Sequence, residues 1–174
     1  MREKQQKIKE LVERLEMWHD QGLSESQIKK QEESLGVSFP EQYKEFLRMY
    51  GWILIGEGFL GTNLGIKETH NLRENFPQTF PKNLIPIDDY GNGDYTCLVC
   101  GGKDHGKVIL WRHDVPEYFV YPNIPDEDWF RNHPDWAKNH INGKKEDFWV
   151  EAPDFWTWLL NRLELERQME EDET

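Results

Sequence analysis

The period of the hydrophobic pattern changes at Gly51, and that change constrains the fold more than any other feature of the chain. Before Gly51, apolar residues recur at helical spacing: Ile8, Leu11, Val12, Leu15 and Trp18, then Ile28 and Leu35, then Tyr43, Phe46, Leu47 and Tyr50. That spacing places side chains on one face of an α-helix. Between residues 84 and 121 the apolar residues form short strings broken by Gly, Asn and Asp, the pattern of strands joined by tight turns. Helical spacing returns with Phe155, Trp158, Leu159 and Leu163. Helices at the ends and strands in the middle predict an α+β chain. The expected form is a single domain with a mixed or mostly antiparallel sheet packed by N- and C-terminal helices.

Local signals place the element ends. Residues 1–22 are expected to form one amphipathic helix stopped by Gly22, its other face covered by five acidic and five basic residues. Ser24 and Gln27 form a capping-box pair for a second helix that ends at Gly36. Pro40 opens a third, closed by Gly51. The glycines from 51 to 65 surround Trp52–Ile55 and Phe59–Leu60, so short strands and turns are expected there. Thr69–Asn75 is read as a helical turn broken by Pro77. Strands are expected over 84–87, 95–99 and 108–112, with a fourth over 118–121. Val108 and Leu110 share one strand face and Ile109 and Trp111 the other, so both faces of the sheet should be covered. The proline- and tryptophan-rich stretch 122–147 reads as an irregular insertion on the sheet. A last helix begins near Asp154.

Length and charge narrow the function. The chain has 174 residues, enough for one well-packed domain. Its 33 acidic and 21 basic residues leave a net charge of −12. Residues 151–174 hold eight acids and two arginines, so −6 of that total lies in the last helix and tail. Nucleic acid and anionic membranes both require a basic face and are excluded as expected partners, whereas a basic protein is favoured. No fully apolar run exceeds the four residues of Trp52–Ile55, and no apolar segment follows the N-terminus. A cytoplasmic chain is expected.

Chemistry-bearing motifs are sparse. Cys97 and Cys100 form a CxxC string inside a strand, where residues three apart point to opposite faces and cannot clasp one ion. The two cysteines are read as structural. Asp88, Asp89 and Asp94 crowd a Gly-rich turn that lacks the alternating acids of a calcium loop. Their readings are a turn that tolerates positive φ or a contact with a partner. The histidines show no metal-ligand or triad spacing, and His113 beside Asp114 lacks a neighbouring nucleophile. No phosphate-cradling or nucleophile-elbow motif is present. Trp129 and Trp136, in the irregular stretch, are candidates for either core or interface. No cofactor or metal is expected.

Three stretches together resemble the SUKH superfamily, the Smi/Knr-like proteins. The first runs from Ile28 through Glu32, Leu35-Gly36-Val37, Phe39-Pro40, Tyr43 and Phe46-Leu47 to Tyr50-Gly51. The second is Leu84-Ile85-Pro86-Ile87 followed by Tyr90-Gly91-Asn92-Gly93-Asp94-Tyr95. The third is Gly106-Lys107-Val108-Ile109-Leu110-Trp111-Arg112-His113, and the closing Phe155, Trp158, Leu159 helix also fits. The resemblance divides the chain into an N-terminal extension (1–23), a SUKH-like domain (24–166) and an acidic tail (167–174). It implies a helix-packed α+β fold without enzymatic activity. Many bacterial members are immunity proteins that bind and neutralise a polymorphic toxin, often a nuclease or deaminase. Fungal members regulate cell-wall synthesis and signalling. The expected partner is therefore a cognate, basic protein toxin, with Asp88, Asp89, Asp94, Trp129 and Trp136 as candidate contacts. A regulatory or scaffold module is the alternative.

Overall fold

The computed structural model describes residues 2–55, 58–114, 120–124, 126–132 and 148–172. The first helices are α1 (Arg2–Arg14), α2 (Glu25–Leu35) and α3 (Glu41–Tyr50). A hairpin of β1 (Trp52–Ile55) and β2 (Gly58–Gly61) leads into α4 (Thr62–Asn75). Then come β3 (Leu84–Asp89), β4 (Tyr95–Val99), β5 (Val108–Trp111), α5 (Glu127–Asn132), β6 (Val150–Ala152) and α6 (Phe155–Asp172). The main sheet has the order β3-β4-β5-β6, and every strand pairing among the described residues is antiparallel. The expected α+β architecture, with helices at both ends packed on the sheet, is present.

Both sheet faces are covered. On one, Ile85, Ile87, Leu98, Val108 and Ala152 meet Ile8, Leu11 and Val12 of α1, Phe46 and Leu47 of α3, and Phe155, Leu159 and Leu163 of α6. Each such side chain contributes roughly 1.5–3 kcal/mol when fully buried. On the other face, Cys97, Val99, Ile109 and Trp111 pack with Leu72, Phe80, Tyr121, Phe148 and Trp149. The Trp111 ring stands edge-on to Phe76 and Phe80, and its Nε1–H donates to the Thr79 carbonyl at 2.8 Å. Cys97 and Cys100 fall in opposite cores, and burial pushes both thiols up.

Several expectations are corrected. The first helix ends at Arg14, not Gly22. Glu16 turns the chain with φ 47°, and residues 18–20 run extended beside β1. The Leu54 N–H donates to the Trp18 carbonyl at 2.8 Å and the Asp20 N–H to that of Trp52 at 3.3 Å, while His19 bridges Ile53. A strand contact distant in sequence has overridden helical spacing, and Trp18 is left 75% exposed. The helical turn expected over 69–75 extends back to Thr62, with Gly65 inside it. The fourth strand is Val150–Ala152. Of the 118–121 alternative, Val120 and Tyr121 are not strand, and Val115–Phe119 lie outside the described residues.

α1 belongs to the main core and is tied to α6 by Lys7–Glu164 (2.7 Å) and Arg14–Glu171 (2.8 Å). Residues 167–172 form the last turns of α6.

Candidate partner-binding surface

The β3–β4 turn carries the three candidate aspartates, and the structure sends them in different directions. Register shifts on the two edge strands make Ile87 and Glu151 extra residues in their ladders. Such bulges re-aim side chains. Asp88 then pairs across from Thr96, on the face covered by α6, and its Oδ2 accepts from Arg162 Nε at 3.1 Å. Glu151 is turned toward the same place. Its carboxylate accepts from Tyr90 Oη at 2.5 Å and Thr96 Oγ1 at 2.8 Å. Burial pushes the Glu151 carboxyl above its usual range against these two hydrogen bonds, and the Asp88 charge adds to the rise. Burial likewise raises Asp88, opposed by Arg162. Arg162 also pairs with Glu166.

Asp89 is exposed, and its carboxylate accepts the Gly91 N–H at 2.7 Å. Asp94 points inward and is 8% exposed. It accepts the His113 backbone N–H at 3.2 Å, lies 2.9 Å from His113 Nδ1 and sits 3.7 Å from Arg112 Nε. Gly93, at φ 94°, lets that imidazole lie against the turn, because an added Cβ would stand 3.0 Å from its Nδ1. Asp94 is thus an internal strut. Asp94, His113 and Asp114 bring potential ligand atoms within 4.8 Å of one another. The Arg112 guanidinium occupies their charge, standing 3.3 Å from Asp114.

Trp129, on α5, is half-buried with its ring edge-on to Phe148 at 5.8 Å. Trp136, the other tryptophan candidate, lies outside the described residues. Sequence reading missed Glu151, Tyr90 and Arg162. The available signal for Glu151 was a single acid between two apolar strand residues.

A groove of about 530 Å³ opens elsewhere, between α2, β1 and α4, lined by Leu23, Gln31, Trp52 and Ile66 with Asp20 and Lys30 exposed beside them. Ser34 also lines it, with His70 Nε2 3.5 Å from its hydroxyl. Among the described residues no carboxylate backs that imidazole, so the pair lacks the third member of a triad. No helix among the described residues is long and apolar enough to cross a membrane.

A helix-covered antiparallel sheet with an acidic hairpin turn defines a class of small α+β domains. The SMI1 / KNR4 family model (SUKH-1) matches residues 22–131, and the chain belongs to that family. It is also similar to the SPbeta prophage-derived uncharacterized protein YokK of Bacillus subtilis (strain 168), 25% identical over 136 residues. That match covers 60% of this chain and 66% of the relative, so the chain spans just under two thirds of it.

Proposed function

We propose that this chain is a non-enzymatic immunity protein that acts in the cytoplasm by binding and neutralising a cognate protein toxin with a basic, nuclease-type surface. Family membership supports the class, and the net charge of −12 carries the choice of partner. A nuclease surface must be basic to handle phosphates, and an acidic inhibitor raises its encounter rate with such a surface by roughly 10–10³-fold at low salt. In this reading neither nucleic acid nor membrane is bound directly. The β3–β4 turn contributes Asp88 and Asp89, Asp94 holds the turn from within, and Trp129 and Trp136 remain candidate contacts.

The test is co-expression with the toxin domain encoded by an adjacent gene, scored by cell survival and by co-purification. Rescue with a stable complex supports immunity by direct binding. No rescue and no complex would overturn the immunity reading for that toxin and bring forward a regulatory or scaffold role of the Smi/Knr type.

A further inference from the structure

The C-terminal half of α6 carries an exposed apolar pair beyond the last residue of the helix that enters the core. Leu165 and Met169 stand one helical turn apart and are 50% and 53% exposed. The core-facing stripe of the same helix is supplied by Phe155, Trp158, Leu159 and Leu163, and the pair continues its Trp158 edge past the buried cluster. Three residues before Leu165, Arg162 fastens α6 to Asp88 at 3.1 Å. Tyr90, 57% exposed, lies two residues beyond Asp88 on the same turn. The Arg162–Asp88 ion pair thus ties this half of α6 to the Tyr90 turn.

The charge on α6 and the turn is predominantly acidic, and the cations there are ion-paired. α6 carries Glu164, Glu166, Glu170, Glu171 and Asp172, the adjoining turn carries Asp88 and Asp89, and Arg162 is held between Asp88 and Glu166. The second arginine of α6, Arg167, is held by Glu164 at 2.9 Å and Glu171 at 2.8 Å. Apolar anchors inside a charged collar have the anatomy of a protein interface. A second copy of this chain would bring like charge against like, which opposes self-association through this face.

We infer that the C-terminal half of α6, with Leu165 and Met169, and the adjoining Tyr90 turn together form the docking surface for a basic protein, whose apolar side chains contact these three residues inside a ring of lysines and arginines. This rests on the immunity reading and assigns its surface. The partner is recognised chiefly by α6 and the exposed Asp89–Tyr90 segment.

The experiment uses the full chain and the purified toxin domain from the adjacent gene, with affinity measured by calorimetry at two salt concentrations. The Leu165→Ala/Met169→Ala double variant should weaken binding by about 30-fold or more, as loss of interface anchors does. Asp89→Lys should slow association and flatten its salt dependence. Trp18→Ala, which removes an exposed tryptophan on the β1 side, should bind as wild type. Unchanged melting temperatures show that the fold is kept. If the wild type binds while the double variant and Asp89→Lys bind equally well, the surface is wrong and the immunity reading stands. If the wild type neither protects nor binds, both fall together.

Discussion

A Cβ placed on Gly22 would lie 1.6 Å from the carbonyl oxygen of Arg48. The backbone before α2 runs hard against the last turn of α3. The neighbouring Leu23 N–H donates to the Leu47 carbonyl at 2.7 Å, which fixes the approach. No side-chain rotation relieves a clash with backbone. Gly22→Ala should therefore destabilise by about 3 kcal/mol or more, the upper end of overpacking costs. At this chain length that lowers the melting temperature by roughly 6–12 °C. Gly36→Ala is the comparison, because an added Cβ there meets nothing within 4 Å and only its φ of 65° is strained. It should cost about 1–2 kcal/mol. Calorimetric melting of both variants decides, and equal melting temperatures would remove the close approach as the reason for Gly22.

Asp94 should matter for stability more than its place in a turn implies. Its carboxylate is buried and holds both the His113 backbone and imidazole, beside Arg112. Asp94→Ala leaves the two His113 donors without their acceptor, at a cost of about 1–3 kcal/mol. Asp89→Ala, at an exposed site, should change stability by less than about 0.5 kcal/mol. Chemical denaturation of the two variants measures the difference.

These aspartates mark where the sequence was legible and where it was not. The capping box was readable because its partners are three residues apart, and the structure has it: the Ser24 N–H donates to Gln27 Oε1 at 2.9 Å. The stripes of α2, α3 and α6 and the β3–β4 turn were readable for the same local reason. Whether Asp94 faces in or out depends on His113, a contact nineteen residues away. The extended course of residues 18–20 depends on pairing with Trp52 and Leu54. β6 has three residues and a bulge, too few for a period to register. The exposure of Leu165 and Met169 was not legible, since both continue the edge of the stripe marked by the buried Trp158, whereas the buried cluster of the helix stops at Leu163.

The family match begins at residue 22, yet α1 should prove indispensable to the fold. Ile8 is fully buried, and Leu11 and Val12 are 6% and 3% exposed in the main core. Ile8→Ala should cost about 2–5 kcal/mol, as for other large-to-small core changes. Ile8→Val should cost about 0.5–1.5 kcal/mol. Denaturant titration of the two variants checks the order. An Ile8→Ala protein as stable as wild type would make α1 an appendage, as its position outside the family match first implies.

Glu151 gives stability a pH dependence of definite sign. Burial raises its folded-state pKa above the unfolded value of about 4.3. The folded chain therefore holds this proton more tightly than the unfolded chain. Across the window between the two pKa values the folded state binds more protons, so this group's contribution falls as pH rises. Above the folded pKa the loss is complete. The carboxylates whose pKa values are lowered, such as Asp104 and Asp154, act in the opposite sense, so wild type alone does not isolate the effect. Glu151→Gln does. Its carbonyl oxygen can still accept from Tyr90 or Thr96, and the buried charge is gone. The variant's melting temperature, measured against wild type from about pH 4 to about pH 8, should gain steadily from about 4.3 upward and then level off. The gain includes relief of Asp88, whose carboxyl is also pushed up by burial and faces Glu151 across the same cluster. Parallel curves for the two proteins would mean that Glu151 is solvated as well folded as unfolded.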